Sequence, residues 1–180
     1  SQLTIRDVVD WMRRHGVEGI GPRGGEFVGA LFAEVAGEPT TSVYLSSRTS
    51  APKAEGRYGV FLSGQPIPPA RYSVSVPGVR QDSSVRTNVA ILNTDTQTIS
   101  FRVSVNGASG TVAQRTVQVE PGRRVQIDSI LSTFETGLSM GRVYVGDMNS
   151  VRRSFVAYGV TNDGAVPGAG TDDGTIVMGR

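Results

Sequence analysis

The sequence predicts an all-β protein: a mainly antiparallel β-sandwich with one N-terminal amphipathic helix, a second short helix and an internal pseudo-repeat. Three observations carry that expectation. With 23 glycines and 9 prolines among 180 residues, the chain has the punctuation of short strands joined by tight turns. Beyond residue 16 the apolar residues recur mainly at period two, the spacing of strands with one buried face. Hydrophobic residues at 38% and charged residues at 19% give enough apolar surface to offset chain entropy, so the chain folds.

The first element is the predicted helix at residues 4–15. Thr4 and Asp7 have the spacing of a capping box, and Ile5, Val8, Val9 and Met12 form an i, i+3, i+4, i+7 stripe. Gly16 ends it. Trp11 beside the stripe reads as a core aromatic, and the glycine-rich run Gly19 to Gly25 as a flexible loop.

Candidate strands follow near Phe27 to Val35, Ser42 to Ser50, Arg57 to Leu62 and Arg71 to Val76. The clearest alternation comes next: Val85, Thr87, Val89 and Ile91 against Arg86, Asn88 and Ala90, then Ile99, Phe101, Val103 and Val105 after the turn Asn93 to Thr96. It predicts a hairpin with one buried and one wet face. Turns at Asn106 to Gly110 and at Pro121-Gly122 continue into Thr111 to Val119 and Arg123 to Ile127. Strands in that succession predict a central meander over 70–127.

Ile127, Ile130, Leu131 and Phe134 repeat the first helical stripe at an offset of 122. Ser42 to Leu45 correspond to Ser154 to Ala157, and Gly56 to Tyr58 correspond to Gly174 to Ile176. The expectation is a single sandwich domain over 1–180, with pseudo-repeat halves at about 1–65 and 123–180 flanking the meander, cut from a longer tandem array.

The formal charge of +2 leaves no dense basic face, so nucleic acid is not an expected partner. Lys53 is the one lysine, and the arginines stand singly or in pairs. With no cysteine there is no disulfide, thiolate nucleophile or cysteine-bound metal. No apolar run reaches membrane-span length, so membrane insertion is not expected, and an exported form would be a mature one.

No catalytic constellation is predicted. His15, the one histidine, sits where a basic side chain favours a helix C-terminus. Asn162-Asp163-Gly164 with Asp172-Asp173 could offer oxygen ligands to calcium, although turn chemistry accounts for the same residues. Gly21-x-x-Gly24-Gly25 lacks the ending of a phosphate loop, and no nucleophile elbow occurs. Tyr44, Tyr58, Tyr72, Tyr144 and Tyr158 fit strand packing as well as sugar stacking.

The run Ser84 to Asn93, with its Arg86-Thr87-Asn88 strand start, and the later Val119-Glu120-Pro121-Gly122 turn resemble uncharacterised tandem β-sandwich modules of exported bacterial proteins. Ser47-Arg48-Thr49 and Gly56-Arg57-Tyr58-Gly59 resemble the same module's strand end and glycine-flanked strand. The resemblance covers most of residues 27–165 and implies a secreted or cell-surface scaffold without known chemistry. Arg48, Arg86 and Asn88 are expected to be structural, the arginines bonding strand carbonyls from a wet face and the asparagine tying down a loop. Function is expected to be structural or adhesive, through self-association with a neighbouring module at strand edges, with Thr175, Ile176, Val177 and Met178 as the assembly strand. A carbohydrate-binding module, with or without calcium, is the alternative.

Overall fold

A computed structural model describes residues 3–25, 27, 29–34, 36, 43–53, 56–166, 169–170 and 173–180. In place of one domain over 1–180, the chain divides into two units, Ser1–Leu31 and Phe32–Arg180.

In the first unit the helix α1 runs over Val8–Arg14 rather than 4–15. Asp7, in the left-handed region at φ 49°, is itself the N-cap, and its Oδ1 accepts the Asp10 N–H at 3.0 Å. No residue of α1 is fully buried, so its stripe is only half covered. Trp11 is 39% exposed and stacks on His15 with ring centroids 4.2 Å apart, which corrects its assignment to the core. His15 does cap the C-terminus. The glycine-rich run is organised around one side chain: Arg13 donates from Nη2 to Ile20 O at 2.7 Å and Gly25 O at 3.0 Å, and from Nε to Gly21 O at 3.1 Å. Gly19, Gly21 and Gly24 have positive φ, which lets the chain wrap that guanidinium.

The strand expected near Phe27 to Val35 is not seen among the described residues: 27 and 29–34 are irregular, and 28 and 35 lie outside the described residues. Strands β1 (Ser46–Lys53) and β2 (Gly56–Ser63) form an antiparallel pair in the register Thr49↔Val60. Then follow β3 (Ser73–Arg80), β4 (Val85–Asn93), β5 (Ile99–Gly107), β6 (Gly110–Val119), β7 (Arg124–Ile127), the short helix α2 (Ile130–Thr133), β8 (Met140–Asp147), β9 (Phe155–Asp163) and β10 (Gly174–Met178). One sheet has the order β10-β9-β4-β7 and the other β3-β8-β5-β6, both antiparallel. Val74, Val76, Val89, Ile91, Phe101, Val103, Val143, Val145 and Phe155 fill the space between them. Phe101 and Phe155 meet across the two sheets at 4.9 Å between centroids, an aromatic contact worth about 1 kcal/mol beyond burial.

The expected meander over 70–127 is corrected. β4 does not pair with β5; it lies between β9 and β7, while β5 lies between β6 and β8. The segment after Asn93 is therefore a corner between sheets. Alternation shows which side chains face the core, but two strands on opposite sides of one core alternate alike. Asn93, fully buried, builds the corner: Nδ2 donates to Gln97 O at 2.8 Å and Val119 O at 2.9 Å, and Oδ1 accepts the Asp95 N–H at 2.9 Å. As an inner strand, β4 also has no wet face: Arg86 and Ala90 are buried along with Val89 and Ile91.

α2 lies where the second helical stripe was expected, with Ile130 and Leu131 buried. Ser129, its N-cap, is left-handed at φ 43°, as Asp7 is before α1. β2 and β10 likewise begin at Gly56 and Gly174 and close hairpins with β1 and β9. β1 and β2 stand as a two-stranded sheet, whereas β9 and β10 belong to a four-stranded one.

The outer strands are blunted as templates for further pairing. β7 has four residues. β3 carries a register shift between Val76 and Val79, with Gly78 at φ 67°. On β6, Arg115 lies over the Phe134 ring at 4.9 Å, a charge placed at the core margin. Beyond β10, Arg180 exchanges both backbone bonds with Ser75 of β3, at 2.7 and 3.0 Å, joining the sheets.

Candidate functional site

The sequence-singled residues Arg86, Asp163 and Asp173 belong to one end of the sandwich, where β4 and β10 begin and β9 ends. Arg86 is 7% exposed rather than on a wet face, and its Nη1 donates to Gly164 O at 2.6 Å and Val166 O at 3.0 Å. It holds the chain leaving β9 against the start of β4. The Gly164 N–H donates to Ser84 O at 2.6 Å and the Asp163 N–H to Asp173 O at 3.1 Å, closing the arm from both sides. Gly164, at φ 122°, has no room for a side chain, since a Cβ there would fall 1.9 Å from Ala169 O.

The β1–β2 hairpin reaches this same end. The Gly59 N–H donates to Asp173 Oδ1 at 3.2 Å. A Cβ on Gly174 would lie 2.9 Å from Val160 Cγ1 and 3.4 Å from Val60 Cβ, so the absence of a side chain at Gly174 admits the close approach of β2 to β10. The expected assembly strand Thr175 to Met178 therefore pairs with β9 on one side, and β2 lies against β10 at its start. Arg48 lies on β1 opposite Phe61 of β2, and both are exposed. Asn88 acts at the far side of β4, where its Oδ1 accepts the Ser129 N–H at 2.8 Å and fixes the loop into α2.

Of the calcium candidates, Asp172 lies outside the described residues, Asp173 accepts from Gly59, and the Asp163 backbone is tied to Asp173. Among the described residues no group of three carboxylate or histidine side chains is placed to hold a metal. Among the described residues the buried carboxylate is Asp147, which accepts from Asn149 N at 2.7 Å and Val151 N at 3.3 Å and pairs with Arg153 Nε at 3.3 Å, shaping the turn after β8. Asp82 is held down to about 2 by the Ser84 hydroxyl and backbone N–H, with the Val85 N–H and the Arg80 charge helping, and it orders the β3–β4 connection. In the first unit Asp10 pairs with both Arg14 at 3.1 Å and Arg23 at 2.9 Å, so the hollow lined by Asp7, Asp10, Arg13 and Arg23 has its charges matched internally.

The tyrosines divide. Tyr44 is 73% and Tyr72 62% exposed, the latter under the Arg152 guanidinium at 5.5 Å. Tyr158 accepts from Arg124 Nε at 2.9 Å, and an Arg142 hydrogen bond pulls the Tyr144 hydroxyl below its usual range. The Tyr58 side chain lies outside what is described.

Sequence reasoning missed Asn93, Asp147 and the Gly59–Asp173–Gly174 contact. The Asn-Thr-Asp-Thr run marked a turn at Asn93. Nothing in the sequence links Gly59 to Asp173. No known family, curated protein or solved structure matches this chain.

Proposed function

We propose that this chain is a non-catalytic structural module of an exported, surface or secreted bacterial protein, working by contact between successive hairpin-ended units. The observation that carries the reading is the seating of the β1–β2 hairpin, which ends the first pseudo-repeat half, against β10, which ends the second, through Gly59–Asp173 and Val60–Gly174. The similarity of Ser47-Arg48-Thr49 and Arg86-Thr87-Asn88 to tandem exported modules supports it, as does the use of Arg86, Asn88, Asn93 and Asp147 in holding loops. Self-association then runs through the hairpin face and β10 rather than through an open sheet edge.

The test is light scattering over a concentration series, with glycan-array binding on the same protein. The reading predicts self-association that a Gly174→Val variant reduces, and no glycan binding. Specific glycan binding lost in Tyr72→Ala, from a strict monomer, would replace this reading with the carbohydrate-binding one.

A further inference from the structure

The β1–β2 hairpin is the least committed part of the sandwich unit. It shares no sheet with the other strands, and a two-stranded hairpin is marginal in water on its own. It must therefore lie on something, and that surface is the start of β10. The contacts that hold it there include a solvent-exposed bond, Gly59–Asp173, and the packing of Val60 at a glycine.

The connection to the sandwich favours movement of the hairpin as a piece. Gly64, whose N–H donates to Leu45 O at 2.8 Å, closes the hairpin base, and Pro68 O is fixed to the sandwich by the Ser154 hydroxyl at 2.8 Å. Between these anchors run Gln65, Pro66 and Ile67, followed by Pro69, with no helix or strand. Prolines at this density hold a segment extended, near 3.1 Å per residue in polyproline geometry. Such a connection resists folding back as a tight turn and lets the hairpin reach outward. Phe61 at 55%, Leu45 at 45% and Ile67 at 64% exposure leave apolar surface beside the hinge uncovered in the single chain.

We propose that the hairpin exchanges between copies: β1–β2 of one chain seats on Asp173 and Gly174 of a second copy, through the contact it makes within its own chain. Exchange of an identical element repeats every native contact, so the balance rests on the entropy of association against the apolar hinge surface covered when two copies meet. The inference rests on the reading of hairpin–β10 seating as the working contact of the module.

The chain's lack of cysteine makes a direct trap feasible. Val60→Cys and Gly174→Cys are prepared as separate variants, checked for native circular dichroism, mixed in equal amounts at high concentration and oxidised. Exchange predicts a disulfide-linked heterodimer in several-fold excess over the dimer from either variant alone. The double variant, oxidised at high dilution, should close within one chain. Internal closure without a heterodimer in the mixture would overturn exchange and leave the seating intact; failure of both linkages would remove the seating as well. Should Gly174→Cys fail to fold, or should loss of Gly59 amide protection show that its side chain displaces the hairpin as a valine would, Pro66→Gly with Pro69→Gly, read by light scattering, replaces it: exchange predicts a several-fold fall in dimer fraction, and an unchanged fraction contradicts it.

Discussion

The Gly59 backbone N–H donates to the Asp173 carboxylate at 3.2 Å across 114 residues of chain, and ties the first hairpin to the last strand. Asp173→Ala removes that acceptor. Because the bond is exposed, the expected cost is about 1 kcal/mol and local. Hydrogen exchange should show faster exchange of β2 amides, with the amides of β4 and β9 unchanged.

Arg86→Ala removes a buried guanidinium that binds Gly164 O and Val166 O. The loss should be about 2–4 kcal/mol, lowering Tm by roughly 5–15 °C. Arg86→Lys should recover part of the loss, because Gly164 O and Val166 O are both held by the one nitrogen Nη1 and an ammonium can donate twice from one nitrogen. Thermal denaturation of the two variants checks this.

Asn93→Leu keeps the volume but leaves Gln97 O, Val119 O and the Asp95 N–H without their partner in a buried corner. The expected cost is about 3 kcal/mol in denaturant unfolding. A neutral result would mean that the corner is not what directs β5 into the second sheet.

Asp82 sets a pH dependence. Its folded-state pKa of about 2 lies below the ordinary 3.8, so its contribution is present above pH 3.8 and is lost as pH falls toward 2. The stability difference between the protein and Asp82→Asn should therefore be constant from pH 7 to 5 and shrink between about pH 4 and 2. A difference that persists at pH 2 would contradict the carboxylate's role.

The sequence made most strands legible because period two survives in any sheet with a core face, and β4, β5 and β6 were placed within a residue or two. It could not separate a hairpin from a corner, since Ile91 and Phe101 face the same core whichever strand neighbours theirs. It marked Arg86 as a carbonyl binder but put it outdoors, because burial of that face comes from the 164–166 arm, distant in sequence. The site itself was half legible. Asp173 and Gly174 stood out by turn chemistry, but their partners Gly59 and Val60 are brought to them only by the tertiary fold.

The most direct test of the account is the exchange rate of the Gly59 amide in dilute solution, measured by nuclear magnetic resonance. Seating of the hairpin on β10 predicts a protected amide that loses its protection in both Asp173→Ala and Gly174→Val, with β4 and β9 unaffected. A Gly59 amide exchanging at the open-chain rate in the unaltered protein, or equally protected in both variants, would contradict it.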